Sequence, residues 1–291
     1  MMARVPSASG SALDPRARPI GVFDSGVGGL TVLHELLVAL PHEDFLYLGD
    51  TRRFPYGERS PGELSRFSAE IAEELLRRGS KLLVVACNSA TAAALPELGR
   101  RMMETTLGVD VLGVLRPEAL RAVAATRSGR IGLLATPATV ASGAYEQAIA
   151  VIDSHVTVHA IACPTLATII QAGEEYGERA VAAVREVCAP LRAAGVDTVI
   201  LGCTHYPLIR PMLQRMLGPG VTLVSSGAAL ARQVEHALST RALQNARSGE
   251  GDYRFLCTGD VRSFRELGTR FLQMPLGDVE HVELAEIGAA A

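Results

Sequence analysis

The sequence predicts an α/β protein made of two doubly wound domains with mainly parallel sheets. Three observations carry that expectation. The chain has 291 residues, 48% of them hydrophobic and 20% charged, which is enough to bury a large core without disulfides or metals. Short apolar runs alternate with amphipathic segments, and continuous apolar strands separated by helices mean parallel sheets covered on both faces. Finally, VVACNSATAAAL and VILGCTHYPLI both read strand, Cys, a short polar run, helix, with Cys87 and Cys203 about one domain length apart. Eight or nine βα units also fit a closed eight-stranded barrel. The repeated cysteine unit favours two related open-sheet domains that exchange a segment, because two further βα units follow the second cysteine. The expected boundaries are a disordered tail at 1–17, a discontinuous domain at 18–110 plus 225–280, and a second domain at 111–224.

Each element has a local reason. PIGVF (19–23) is a strand, and the apolar periodicity of 29–40 makes a helix that Pro41 stops. DFLYLGD (44–50) is a strand. The helix at 60–78 has Pro61 just inside its start and Gly79 just past its end. Strands follow at 81–87, 110–115, 130–136, 155–163, 197–203 and 221–226, with 253–259 as the last. Helices follow at 89–102, 117–126, 139–152, 179–194, 207–217, 228–240 and 261–272.

Composition narrows the chemistry. Net charge is -3, which argues weakly against direct nucleic-acid binding. No apolar run reaches the ~18 residues of a membrane helix, and the N-terminal stretch lacks the apolar core of a signal peptide. Five cysteines without a CxxC pair or zinc spacing read as reduced thiols in a cytoplasm, with no metal expected. Lys81 is the single lysine among 28 basic residues. It lies at the start of its strand, the wrong end for a site, and reads as a solvated charge. Schiff-base chemistry is thereby disfavoured, and a pyridoxal phosphate racemase with it.

In open parallel sheets, ligands sit beyond the carboxyl ends of the strands. The polar residues there are Asp24, Ser25, Asp50, Thr51, Cys87, Asn88, Ser89, Thr136, Cys163, Cys203, Thr204 and His205. The glycine-rich GVFDSGVGG loop fails the dinucleotide spacing, since the third position falls on Thr31, and it lacks the GK[ST] of a P-loop. Its glycines let Asp24 and the backbone approach a small substrate closely. Pro55, Tyr56 and Gly57 form a turn whose tyrosine and amides suit a carboxylate. Cys87 and Cys203 each precede a helix start, which lowers a thiol pKa from about 8.5 towards neutrality. An inert buried thiol is the commoner fate of one cysteine. Two at equivalent strand ends suggest instead that one thiolate removes a proton from a carbon and the opposite thiol returns one to the other face. That inverts a stereocentre with no cofactor, and Asp24 and His205 would tune the pair. Cys163, Cys188 and Cys257 read as structural, and His155 and His159 as solvent or core residues of one strand.

GVFDSGVGGLTV, GDT…PYG, VVACNSA, SGAY and VLGCTHYPL together resemble the motifs of the glutamate racemases, in the aspartate/glutamate racemase superfamily. The resemblance runs from about Ile20 to Leu272. It implies two flavodoxin-like domains with the active site between them, commonly as a homodimer. It also implies cofactor-independent interconversion of L- and D-glutamate for peptidoglycan synthesis. Cys87 would face the hydrogen of D-glutamate and Cys203 that of L-glutamate. Asp24, Ser25, Pro55, Tyr56, Gly57, Asn88, Ser89, Thr204 and His205 would bind substrate, and Asp50 would support Asp24. Gln171 stands where a glutamate often faces the histidine, which would deprive His205 of a charged partner. Ser89 replaces a frequent threonine, and RPEA (116–119) differs from the usual pattern. A racemase of aspartate or a related amino acid, or a non-catalytic gyrase-binding regulator, are the alternatives.

Overall fold

The computed structural model describes residues 14–105 and 108–286. Among the described residues, ten strands form two sheets in which every pairing is parallel. The first contains β1 (Ile20–Asp24), β2 (Phe45–Gly49), β3 (Leu82–Val85), β4 (Asp110–Gly113), β9 (Tyr253–Cys257) and β10 (Val279–His281), ordered β10-β9-β2-β1-β3-β4. The second contains β5 (Arg130–Ala135), β6 (Thr157–Ala162), β7 (Thr198–Gly202) and β8 (Thr222–Val224), ordered β6-β5-β7-β8. Two open sheets replace the barrel alternative.

The helices are α1 (Leu30–Ala39), α2 (Pro61–Arg77), α3 (Asn88–Thr105), α4 (Leu115–Ala125), α5 (Pro137–Ala141), α6 (Ala144–Ile152), α7 (Leu166–Gln171), α8 (Glu178–Ala193), α9 (Arg210–Leu217), α10 (Gly227–Thr240) and α11 (Val261–Leu272). Their ends follow the caps in the sequence. Ser60 and Glu63 make a reciprocal capping box at the start of α2, with Pro61 inside it. The Asp260 side chain accepts from the Ser263 amide at the start of α11. β1, β2, β3 and β7 are buried at every position, as expected of strands covered on both faces.

Topology places the site. The first sheet grows in one direction from β1 to β2 and in the other from β1 to β3, so its switch point is β1/β3. The second sheet has the same plan, with its switch point at β5/β7. Ligand crevices form at the carboxyl ends of such points. The chain passes between the sheets twice, through α4 after β4 and through α10 after β8, and α10 packs on both α1 and α4.

The structure corrects several expectations. The strand at 253–259 is not the last, because β10 pairs with β9 beyond it; three residues carry too little pattern to be seen. The helix expected at 139–152 is two, α5 and α6, broken at Ser142 and Gly143, where Gly143 adopts φ +63°. The segment before 179 contains α7, a single short helix. The expected tail at 1–17 lies outside the described residues up to 13, but Pro15–Ala17 form a 3₁₀ turn capped by Asp14. Lys81 is not a solvated charge: it is buried, with Nζ 2.6 Å from Glu43 Oε2 and 2.6 Å from the Arg16 carbonyl oxygen. Such a pair persists in the interior only because both charges are matched there. His155 lies outside β6, which starts at Thr157.

Candidate active site

Both switch points open onto one narrow cavity. Cys87 follows β3 and Cys203 follows β7, and both line this cavity, together with Ser25, Asn88, Ser89, Thr204 and His205. Pro55, Tyr56 and Gly57 form another wall. Ten of the residues expected to act here are thus brought together. Asp24 and Asp50 lie behind the wall, fully buried.

Asp24 ends β1, and its Oδ2 accepts from the Gly26 amide at 3.0 Å. Thr204 Oγ1 donates to Asp24 Oδ1 at 3.3 Å, linking the two sheets. Burial raises the Asp24 pKa, and amides of the glycine loop and the Thr204 hydroxyl oppose that rise. Gly28 allows this packing: a Cβ there would stand 2.3 Å from Thr204 Oγ1 and 2.5 Å from His205 Cε1.

Asp50 departs from its expected role. Its backbone amide donates to the Asp24 carbonyl at 3.0 Å, but its carboxylate is turned away. It accepts from the Tyr56 hydroxyl, from Arg53 Nε at 2.5 Å and from Thr258 Oγ1 at 2.7 Å. Asp50 therefore holds Tyr56, and the tyrosine hydroxyl is committed to it. The amides of this turn are left to meet a carboxylate. Ser89 Oγ shares a buried cluster with Thr136 Oγ1 at 2.8 Å and Thr139 Oγ1 at 3.0 Å.

The expected lowering of the thiol pKa values is overturned. Burial, and then the nearby Asp24 charge, push Cys87 up to about 12. Burial pushes Cys203 up as well, with the Cys87 and Asp24 charges adding to it. The helix-start amides act in the expected direction but are outweighed by desolvation. Both thiols are protonated at neutral pH in this closed cavity.

His205 is 1% exposed, and its ring lies 5.6 Å from that of Phe54 and 5.1 Å from that of Phe271. Burial lowers its pKa to about 3. Its Nε2 is 3.0 Å from Gln171 Oε1, which only accepts, so the proton sits on Nε2. Nδ1 is then a free base, 3.8 Å from Cys203 Sγ and 3.4 Å from Thr204 Oγ1. Gln171 thus meets the histidine with a neutral amide oxygen.

Sequence reasoning missed Phe54, Pro164, Ala167 and Thr168 on the cavity wall. Ala167 and Thr168 ride on α7, whose six residues give too short a period to read. Cys163 is buried beside this wall, its Sγ 3.6 Å from the Ile161 carbonyl, in keeping with a structural role.

Residues 25–234 match the family model of Asp/Glu/Hydantoin racemases. The protein is a member of that family. Within the Asp/Glu/Hydantoin racemases it is 45% identical to a glutamate racemase of Geobacter metallireducens over 267 residues, covering 92% of this chain and 97% of that one. The crystal structure of glutamate racemase isoform RacE1 from Bacillus anthracis superposes with a TM-score of 0.86 at 39% identity, covering 92% of this chain and 98% of that one. Glutamate racemase from Francisella tularensis, in complex with D-glutamate, gives a TM-score of 0.84 at 30% identity over 92% and 98% of the two chains.

Proposed function

We propose that the protein interconverts L- and D-glutamate by a two-thiol acid/base mechanism that needs no cofactor. The observation that supports it most is that Cys87 and Cys203, at matching switch points of two sheets, line one cavity. From L-glutamate, the Cys203 thiolate takes the Cα proton and the Cys87 thiol delivers its own to the opposite face; from D-glutamate the roles reverse. The atoms balance, since each turnover moves one proton onto one sulfur and one off the other.

The high thiol pKa values set the remaining requirement. A thiolate must be made as substrate binds. For Cys203, His205 Nδ1 is the nearest base at 3.8 Å, and it takes the proton only if substrate binding raises its own pKa from about 3. The ammonium of glutamate brings positive charge beside the sulfurs and offsets the Asp24 carboxylate that opposes ionisation. Ser25, Asn88, Ser89, Thr204, His205 and the Pro55–Tyr56–Gly57 turn hold the substrate in this reading, and Asp24 acts from behind the wall through its charge and its bond to Thr204. The reading extends to a cytoplasmic homodimer that supplies D-glutamate for peptidoglycan.

Incubation with L-glutamate in D₂O tests it. Loss of the Cα proton signal by NMR should accompany decay of optical activity. An unchanged proton signal and constant circular dichroism would falsify the assignment, and faster turnover of aspartate would redirect it to that amino acid.

A further inference from the structure

We infer that Glu118 and Tyr145 are positioning residues that hold the Asn88 side-chain amide in one orientation at the cavity wall; this rests on the glutamate-racemising reading of the cavity. Of the three, Asn88 alone lines that cavity. Glu118 on α4 is 1% exposed and Tyr145 on α6 is 0% exposed.

An amide carries two donor hydrogens on nitrogen and an acceptor oxygen. Asn88 Nδ2 lies 3.1 Å from Glu118 Oε2 and 2.7 Å from the Tyr145 hydroxyl oxygen. The tyrosine hydroxyl spends its one hydrogen on Glu118 Oε2, so its oxygen accepts from Asn88. Seen from Nδ2 these two acceptors lie on the same side, so they share one amide hydrogen and fix which way the amide is turned. Turning the amide over would withdraw its donor from Glu118 Oε2 and the tyrosine oxygen and set Oδ1 against them, in a dry site where unpaired polar groups are costly. Ser226, just before α10, adds further hydrogen bonds to Glu118, and these oppose the burial that raises the Glu118 pKa to about 8.

The chemical consequence is a fixed amide: Asn88 meets the substrate with its oxygen and its remaining hydrogen in set directions. The cluster also spans the molecule: α3 follows the first sheet's switch strand, α6 belongs to the second sheet's side, and α4 and α10 are the two crossovers. The Asn88 amide is thus set by elements of both domains.

Steady-state racemisation by the wild type, Tyr145→Phe, Glu118→Gln, Asn88→Ala and the Asn88→Ala/Tyr145→Phe double variant tests the lock. Tyr145→Phe should raise KM for both enantiomers about tenfold and leave kcat within about twofold, the loss of one oriented hydrogen bond in binding. In the Asn88→Ala background it should add nothing, because the effect travels through Asn88. An equal effect in both backgrounds, or a loss in kcat alone, overturns the inference. A second readout needs no turnover. The Asn88 side-chain NH₂ signals, assigned by their absence in Asn88→Ala, should resist solvent exchange in the wild type and exchange at least about tenfold faster in Tyr145→Phe and Glu118→Gln. Unchanged exchange in both variants overturns the lock. Protected Asn88 hydrogens in an enzyme that does not racemise glutamate would sink the functional reading and leave the lock standing.

Discussion

Cys87 and Cys203 were legible as a pair because they recur in the same strand-end context, but their ionisation was not. Local sequence shows the helix start that lowers a thiol pKa; only the assembled cavity shows the desolvation that outweighs it. Lys81 is the same lesson in reverse, since nothing near it in sequence discloses that Glu43 waits inside the protein. Replacing either active thiol removes one of two proton-transfer groups, so Cys87→Ala and Cys203→Ala should each lower racemisation by at least about 10²–10⁴-fold, read by circular dichroism decay. Activity retained by either variant removes that cysteine from the mechanism. His205 adds a stability signature. Its pKa falls from an ordinary value of 6.5 to about 3 on folding. Between those values the unfolded chain binds a proton that the native protein does not, so stability falls as pH drops through 6.5 towards 3. His205→Gln lacks this group, and its urea midpoint should decline less than that of the wild type between pH 7 and pH 5. Parallel declines would show that the histidine is not held neutral.

At the scale of elements, the long helices and the fully buried strands followed from period and caps, as in the Ser60–Glu63 box of α2. What escaped was short or interrupted: β10 with three residues, α7 with six, and the break between α5 and α6 at Gly143. These depend on tertiary partners more than on their own pattern. The β1–α1 loop was read as a place of close approach, and what approaches is α9's preceding segment, Thr204 and His205. Gly28→Ala therefore tests an element junction. Its methyl would push against both side chains and shift them relative to Cys203, and a displacement of that kind costs about 10²-fold in rate. The variant should keep a near-native thermal transition while losing that activity. Wild-type turnover in Gly28→Ala would mean that the loop moves aside without disturbing the site.

For the whole molecule, the repeat of one switch-point plan in both sheets is what sets two sulfurs around one cavity, and that plan was visible in the recurrence of the cysteine unit. The same closure imposes a dynamic demand. All five cysteines are free and buried, with Cys87 5% and Cys203 8% exposed. Cys87 and Cys203 line the cavity, whereas Cys163, Cys188 and Cys257 sit in packed regions that open only on wider unfolding, and we expect a substrate to reach the first two by a parting of the two sheets along the cavity. Alkylation by iodoacetamide in native buffer, followed by peptide mass spectrometry, should therefore modify Cys87 and Cys203 before the other three. Saturating glutamate, which favours the closed arrangement, should slow those two sites and leave the others unchanged. At high reagent concentration the rate should level off at the rate of opening, because a closed cavity of protonated thiols offers no nucleophile to the solvent. Uniform labelling of all five cysteines, or protection by glutamate at every site alike, would assign access to global unfolding in place of domain opening.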